Sequence, residues 1–522
     1  MKRTIVLLLA FLFSLKIISQ EGVWTNVIAH NADPSGKVKC THIINNLIDS
    51  LSSGGGGTLY FPAGTFLTGS IEMKSNITLY LDAGAVLRFS DDFDDYLPMA
   101  PSRWEDVRVM NFRSQIYAYR CHNISIKGEG HLEGQGSKWW DFMRKVNSGQ
   151  AVDTKWQDIF KGENAALLAR NTYIRGKNNF LRPPMITTYE CSDILIEGVS
   201  FSNPPFWTIM PAFSDNITIT GITIRNPGNS PNTDGIDPSS CRNVHISNCH
   251  ITVGDDCIVI KSGRDEDGRE AGSPTENITI TNCTMLEGHG GVVIGSEMSG
   301  NVKRISISNC VFEGTDIGIR IKTMRGRGGL VEDVRVSNIN MYNIVNEGIL
   351  ITLRYQSSDP EPLSERTPAV RNIQLSNINI REAQRPAAIY GLEERVVSQV
   401  SFSDIRSFSK KGILLENSGK ISFHDMEMEV GGGPALEIKD SEGISWDRVT
   451  VLDSPAGEPV VKLTNSRNIR ITNCYQPERK AGYISKDGKS TDVFIMNNIF
   501  PGIPLVKDGD MKTVISKNNI TE

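Results

Sequence analysis

The feature that most constrains the fold is a short phrase, Asn-Ile-x-Ile or a close variant, repeated along most of the chain. Its openings fall at Asn76, Asn123, Asp193, Asn216, Asn243, Asn277, Arg304, Asp333, Asn372, Gln399, Lys420, Gly443 and Asn468; from Asp193 onward they lie 21 to 39 residues apart. Each introduces a brief alternation of apolar and polar residues, such as Ile217-Thr218-Ile219 or Ile278-Thr279-Ile280. Period-two alternation marks strands, and self-similarity at this spacing marks a solenoid. Five residues after many openings comes a second Asn: Asn248, Asn282, Asn309, Asn338, Asn377 and Asn473. Asn tolerates a left-handed corner, and its amide can bond the amide one turn above. The pattern therefore predicts an all-β chain, a right-handed parallel β-helix with Asn ladders at its corners.

A solenoid grows by adding turns, so 522 residues need not mean several domains. We expect an N-terminal cap and first turns over 21–75, a β-helix catalytic domain over 76–486, and a C-terminal cap or tail over 487–522. The cap should include an amphipathic helix near Thr41 to Ser53, with Ile43, Ile44, Leu47, Ile48 and Leu51 on one face. Lys2-Arg3 followed by the apolar run from Thr4 to Leu15 reads as a signal peptide over 1–20. The expected location is secreted or periplasmic, in a Gram-negative envelope, with no membrane contact after cleavage.

The formal net charge is −5, which gives no case for a nucleic-acid partner. Of nine cysteines, Cys249, Cys283, Cys310 and Cys474 each close a Ser/Thr-Asn-Cys triplet, a placement that suits buried fillers. No Cys/His cluster suggests zinc, and neither metal nor cofactor is expected. Asn76, Asn123, Asn216, Asn277 and Asn519 match Asn-x-Ser/Thr, but four of them are the strand phrase itself.

Four polar cassettes interrupt successive turns: Asn232-Thr233-Asp234-Gly235-Ile236-Asp237, Gly254-Asp255-Asp256-Cys257, Gly288-His289-Gly290-Gly291 and Arg320-Ile321-Lys322. Stacked turns would bring them to one face. Adjacent carboxylates repel, so one of Asp255 and Asp256 should hold its proton to a higher pH than a free Asp. That suits a general acid beside a general base. A calcium-binding acidic turn is the competing reading. Glycines around His289 leave its ring open to a ligand; His245, His250 and His424 have no such setting. Arg320 and Lys322 lie two apart on a strand, face the same way, and fit recognition of a sugar carboxylate. Lys261 is a softer candidate of the same kind, and Asn232 is counted with these substrate-binding residues.

The cassettes, together with Gly55-Gly-Gly-Thr-Leu-Tyr-Phe-Pro-Ala-Gly, Gly134-Gln-Gly-Ser-Lys-Trp-Trp and Asn203-Pro-Pro-Phe-Trp, resemble the polygalacturonases of glycoside hydrolase family 28. The stretch from Gly288 to Gly300 is similar to the bacterial and plant-like, often exo-acting, branch. The resemblance implies hydrolysis of α-1,4-linked galacturonic acid in pectin with inversion of configuration. It implies Asp255 as proton donor, Asp234 and Asp256 as activators of water, and His289 as the group that tunes or positions the acid. It places an aromatic at the sugar subsite, for which Tyr355 is the first candidate and Tyr342 the rival. Longer loops at Arg264 to Gly272 and Ser357 to Arg366 suggest one blocked end and exo action. The partner is then a polygalacturonate or pectin oligosaccharide; the oligomeric state is left open. Hydrolysis of rhamnogalacturonan or another decorated pectin is the nearest alternative, a β-helix pectate lyase a more distant one, and a noncatalytic adhesin the last.

Overall fold

In a computed structural model the described residues are 23–453, 455, 457–477, 481–508 and 511–522. The leader read in residues 1–20 lies outside them. The chain winds as a parallel β-helix, with almost every strand pairing in parallel with the equivalent strand one coil away. Parallel crossovers of this kind are right-handed. One aliphatic column runs through the stack in strict register: Ile124, Ile194, Ile217, Val244, Ile278, Ile305, Val334, Ile373, Val400, Ile421, Ile444, Ile469, Val493 and Val514. These residues come from the strand phrase, so the repeat builds the core directly.

The corners explain the Asn signature. All thirteen openings, from Asn76 to Asn468, have φ between 52° and 70°. Asn is among the few residues that visit this left-handed region at modest cost. Its amide then bonds upward: Asn123 to Asn76 (3.0 Å), Asn277 to Asn243 (2.9 Å), Asn338 to Asn309 (3.0 Å) and Asn377 to Asn338 (2.8 Å). The Asn-x-Ser/Thr matches at 76, 123 and 277 are thus ladder amides. Directly after the second corner, Cys249, Cys283 and Cys310 sit on successive coils with 0–1% exposure. All nine cysteines are buried free thiols.

The helix Thr41–Ser53 buries Ile44, Ile48 and Leu51 against the first coils. At the other end the stack runs further than the sequence phrase suggested. Thr491–Met496 pairs with Arg467–Thr472, and Val514–Lys517 pairs with Thr491–Met496. The tail expected after Asp487 is therefore two more strand layers. Their opening, Asp492-Val493-Phe494-Ile495, is a degenerate copy of the phrase, with Asp492 in the same left-handed corner (φ 54°).

A second body lies outside the coils and was not foreseen. The helices Ser137–Asn147, Lys155–Glu163, Ala165–Arg170 and Thr172–Arg175, together with the antiparallel hairpin Ala100–Trp104/Val107–Asn111, close over their own aromatic core. Trp104, Phe112, Trp139, Phe160, Phe180, Phe206 and Trp207 fill it. The Trp pair of the Gly134 to Trp140 stretch belongs here: Trp139 is wholly buried, between Phe93 at 4.1 Å and Phe112 at 5.2 Å. This body stands beside the coils that carry the cassettes.

Candidate active site

The cassettes occupy one sheet of the coil. Ile236, Ile258, Val292, Ile319 and Ile349 form its inward column, and the chemistry-bearing residues flank or alternate with them. The first cassette is clamped by its neighbours above and below. Thr208 N donates to Asp234 O (2.8 Å), Gly235 N to Asp256 O (3.0 Å) and Ile236 N to Cys257 O (3.1 Å). Gly235 is required there, because a Cβ would fall 2.4 Å from Cys257 O.

Asp234, Asp255 and Asp256 converge, with one oxygen of each within 4.8 Å of the others. They line a cleft of about 330 Å³ together with Glu105, Tyr173, Lys177, Trp207, Asn232, Lys261, Arg264, Ser296, Glu297, Lys322, Arg327, Tyr355 and Gln356. His289 stands at its edge, half exposed, with Nδ1 3.3 Å from Asp255 Oδ1 and its backbone N donating to Asp255 O (2.8 Å). Asn232 donates to the other oxygen of Asp255 (3.4 Å) and accepts from Arg182 (2.9 Å). Its amide therefore braces Asp255. Tyr355 lines the cleft, whereas Tyr342 is not among the lining residues.

Charge is distributed differently from the expectation. Burial pushes the Asp255 carboxyl up, but the hydrogen bond with His289 and the fields of Lys322 and Lys261 outweigh it, so Asp255 sits below the usual carboxylate range. The bond to Asp255 lifts His289 above the ordinary imidazole value against its own partial burial. The carboxyl held well above its usual range is Asp234, through burial and the nearby charges of Asp255 and Asp237. The carboxyl held up is thus not Asp255 but Asp234, one coil earlier, where burial outweighs the field of Lys261.

The basic residues are also more committed than their positions implied. Arg320 and Lys322 do share a face, with Tyr355 between them: their charged groups lie 5.4 Å and 5.2 Å from its ring centre. But Lys322 is buried and its Nζ lies 2.7 Å from Asp256 Oδ2. Lys261 lies 3.1 Å from Glu297 and 4.7 Å from the ring centre of Trp207.

Glu297 and Asp237 are buried carboxyl groups in the site that had not been given a role. Glu297 is fully buried and holds Lys261, Arg264 (2.6 Å) and Arg327 (3.3 Å). Burial pushes its carboxyl up, but the three cations hold it well below the usual range. The signal was the acidic residue within Gly295-Ser-Glu-Met-Ser-Gly, just past the histidine cassette. Asp237 closes the first cassette, is wholly buried, and has neither oxygen hydrogen-bonded; burial keeps its carboxyl well above the usual range. The outer hairpin grips this region from beside it: Ser239 Oγ donates to Asp106 (2.7 Å), and Gly263 N to the other oxygen of Asp106 (3.0 Å).

A parallel β-helix that gathers three carboxylates, a histidine contact and a ring of buried cations around one cleft has the equipment of a glycoside hydrolase. The comparisons agree. The description of glycosyl hydrolases family 28 matches residues 160–417. The crystal structure of a hyperthermoactive exopolygalacturonase from Thermotoga maritima aligns with a TM-score of 0.68 at 32% identity, covering 78% of this chain and 91% of that one. A probable polygalacturonase of Vitis vinifera is 36% identical over 315 residues, 59% of this chain and 58% of the relative. An exo-poly-alpha-D-galacturonosidase of Dickeya chrysanthemi is 24% identical over 85% of this chain and 74% of the relative. The chain belongs to glycosyl hydrolases family 28. It spans little more than half the length of the Vitis protein.

Proposed function

We propose that the protein is a secreted hydrolase of α-1,4-linked galacturonate chains, acting with inversion and releasing product from a chain end. The observation that carries this reading is the trio Asp234, Asp255 and Asp256 within 4.8 Å in a cleft lined by Lys177, Lys261, Arg264, Lys322 and Arg327. Cations around an acid/base set suit a substrate that is itself anionic. Asp255 is the proton donor to the glycosidic oxygen. Its proton is kept on His289, whose elevated affinity holds it until the leaving oxygen arrives, and it passes through Asp255 as the C–O bond breaks. Asp256, with Lys322 as counter-ion, takes a proton from the attacking water; Asp234, kept neutral by burial, orients that water. The water's oxygen bonds the anomeric carbon on the face opposite the departing sugar. Arg320 and Tyr355 meet the substrate at the next coil, and Lys261 and Asn232 hold the site's geometry.

Inverting glycosidases generally set their carboxyl groups about 6.5–9.5 Å apart. Here one oxygen of each carboxyl lies within 4.8 Å of the others, so a single water can bridge Asp234 and Asp256 at ordinary hydrogen-bond lengths of about 2.8 Å to each. End-wise release is supported by the cleft's walls. Arg264, from the first of the two long loops, lines the cleft; Ser357 to Arg366 lies beside a neighbouring cavity instead, touching it through Glu365 and Arg366. The inserted segment contributes Tyr173, from its last helix, and Lys177, from the turn that follows.

The test is a time course on polygalacturonate with a chelator present. Proton NMR of the earliest product should show the β-anomer, viscosity should fall slowly as reducing ends rise, and ultraviolet absorbance should stay flat. An α-anomer removes inversion, rapid thinning removes end-wise action, and an unsaturated product would make the protein a lyase.

A further inference from the structure

Of the five cations lining the cleft, four are already hydrogen-bonded to a carboxylate. Lys322 holds Asp256, Lys261 holds Glu297, Arg264 holds Glu105 and Glu297, and Arg327 holds Asp265 and Glu297. Lys177 is different. Its Nζ lies 3.9 Å from Glu105 Oε1, beyond hydrogen-bond reach, and its side chain is 32% exposed. It rests instead over two rings, 4.4 Å from the centre of Tyr173 and 5.2 Å from that of Trp104. A ring face steadies an ammonium without using its N–H donors. The result is a positioned, partly desolvated cation with donors to spare, opening into the same cleft as Asp234, Asp255 and Asp256.

The support beneath it is a closed chain of contacts. Tyr173 also carries the Arg264 guanidinium at 3.7 Å, Arg264 bonds Glu105, and Glu105 sits at the tip of the outer hairpin. Lys177 and Tyr173 both come from the segment between Glu133 and Ile186, which the repeat does not encode. The cleft thus has a wall added to the β-helix, and that wall presents the lining cation that has no hydrogen bond to a carboxylate.

We propose that Lys177 is the receptor for a substrate carboxylate on this wall, so that the inserted segment sets the preference of the cleft for a charged chain end. This rests on the galacturonan reading above. A uronate carboxylate entering the cleft would complete the ammonium's hydrogen bonds.

The experiment compares Lys177→Met and Lys177→Arg with the parent on galacturonate trimers, and on the same trimers with methyl-esterified carboxylates. With the free acid, Lys177→Met should raise KM by about ten- to a hundredfold, the usual weight of a charge-assisted contact, and should act on KM more than on kcat. Lys177→Arg should restore most of the affinity, and the parent's preference for free acid over ester should shrink in the Met variant. An unchanged KM in a folded Met variant, or an equal loss on acid and ester, overturns the assignment while the hydrolase stands. A parent that releases nothing from the free-acid trimer overturns both.

Discussion

At the scale of single residues, the site is governed by which carboxyl has a partner. Asp255 touches His289 and Asn232, Asp256 touches Lys322 through one oxygen and leaves the other without a partner, and Asp234 Oδ1 has none either. Replacing Asp255 by Asn keeps the shape and removes the proton route. Turnover should then fall by about a hundredfold or more with the circular dichroism unchanged; a folded variant with most of its activity would remove Asp255 from the role of acid. The pH profile carries a second expectation. His289 has its affinity for protons raised in the fold, so its contribution to stability is complete below the free imidazole value of about 6.5 and is lost as pH rises through the elevated one. Asp255 is lowered, so its contribution is present above about 3.9 and is lost as pH falls through the depressed value. If His289 stores the catalytic proton, kcat/KM should decline on the alkaline side at a pH above about 6.5. His289→Asn should move that limb downward; an identical alkaline limb in the variant would assign it to another group.

At the scale of elements, the turns that carry the cleft are tied by a buried charge cluster rather than by the coil alone. Glu297 neutralises Lys261, Arg264 and Arg327, which reach it from two other turns. Glu297→Gln leaves three buried cations with one counter-charge fewer, and the expected cost is about 3–5 kcal/mol by urea unfolding. A change under about 1 kcal/mol would mean the cations rearrange freely. Elements also divide what could be read in advance from what could not. The coils were legible because their determinants are local: an aliphatic alternation and an Asn in a left-handed corner sit within a few residues of each other. The cassettes were legible because each is contiguous and the stack aligns them. The hairpin and the inserted helices were not, since their partners are remote in sequence: Arg103 bonds Ser240 and Asp106 bonds Gly263. The helices run only 11, 9, 6 and 4 residues, too short to show a firm period. The partner of Lys322 is not legible in the same way, because nothing in Arg-Ile-Lys announces that Asp256, two coils away, will reach its ammonium.

At the scale of the whole molecule, one core runs from Val27 to Ile503, yet each layer touches chiefly its neighbours. Such stacks need not unfold as a unit. The aromatic body braces the coils near the cleft, while the strand Val514–Lys517 is largely exposed, with Ile515 at 54%. Far-UV signal should therefore begin to fall at a lower urea concentration than activity; superimposable curves would show that the stack is fully cooperative. The nine buried thiols give this question a written record. They stand at positions 40, 121, 191, 241, 249, 257, 283, 310 and 474, silent to any reagent while their layers are shut. Because each belongs to a known layer, a brief pulse of alkylating reagent during denaturation, followed by peptide mapping, would leave a mark dated by position. Cys474 should be stamped before Cys257, and the order of the stamps would be a chronicle of the unwinding, kept by the protein in its own side chains.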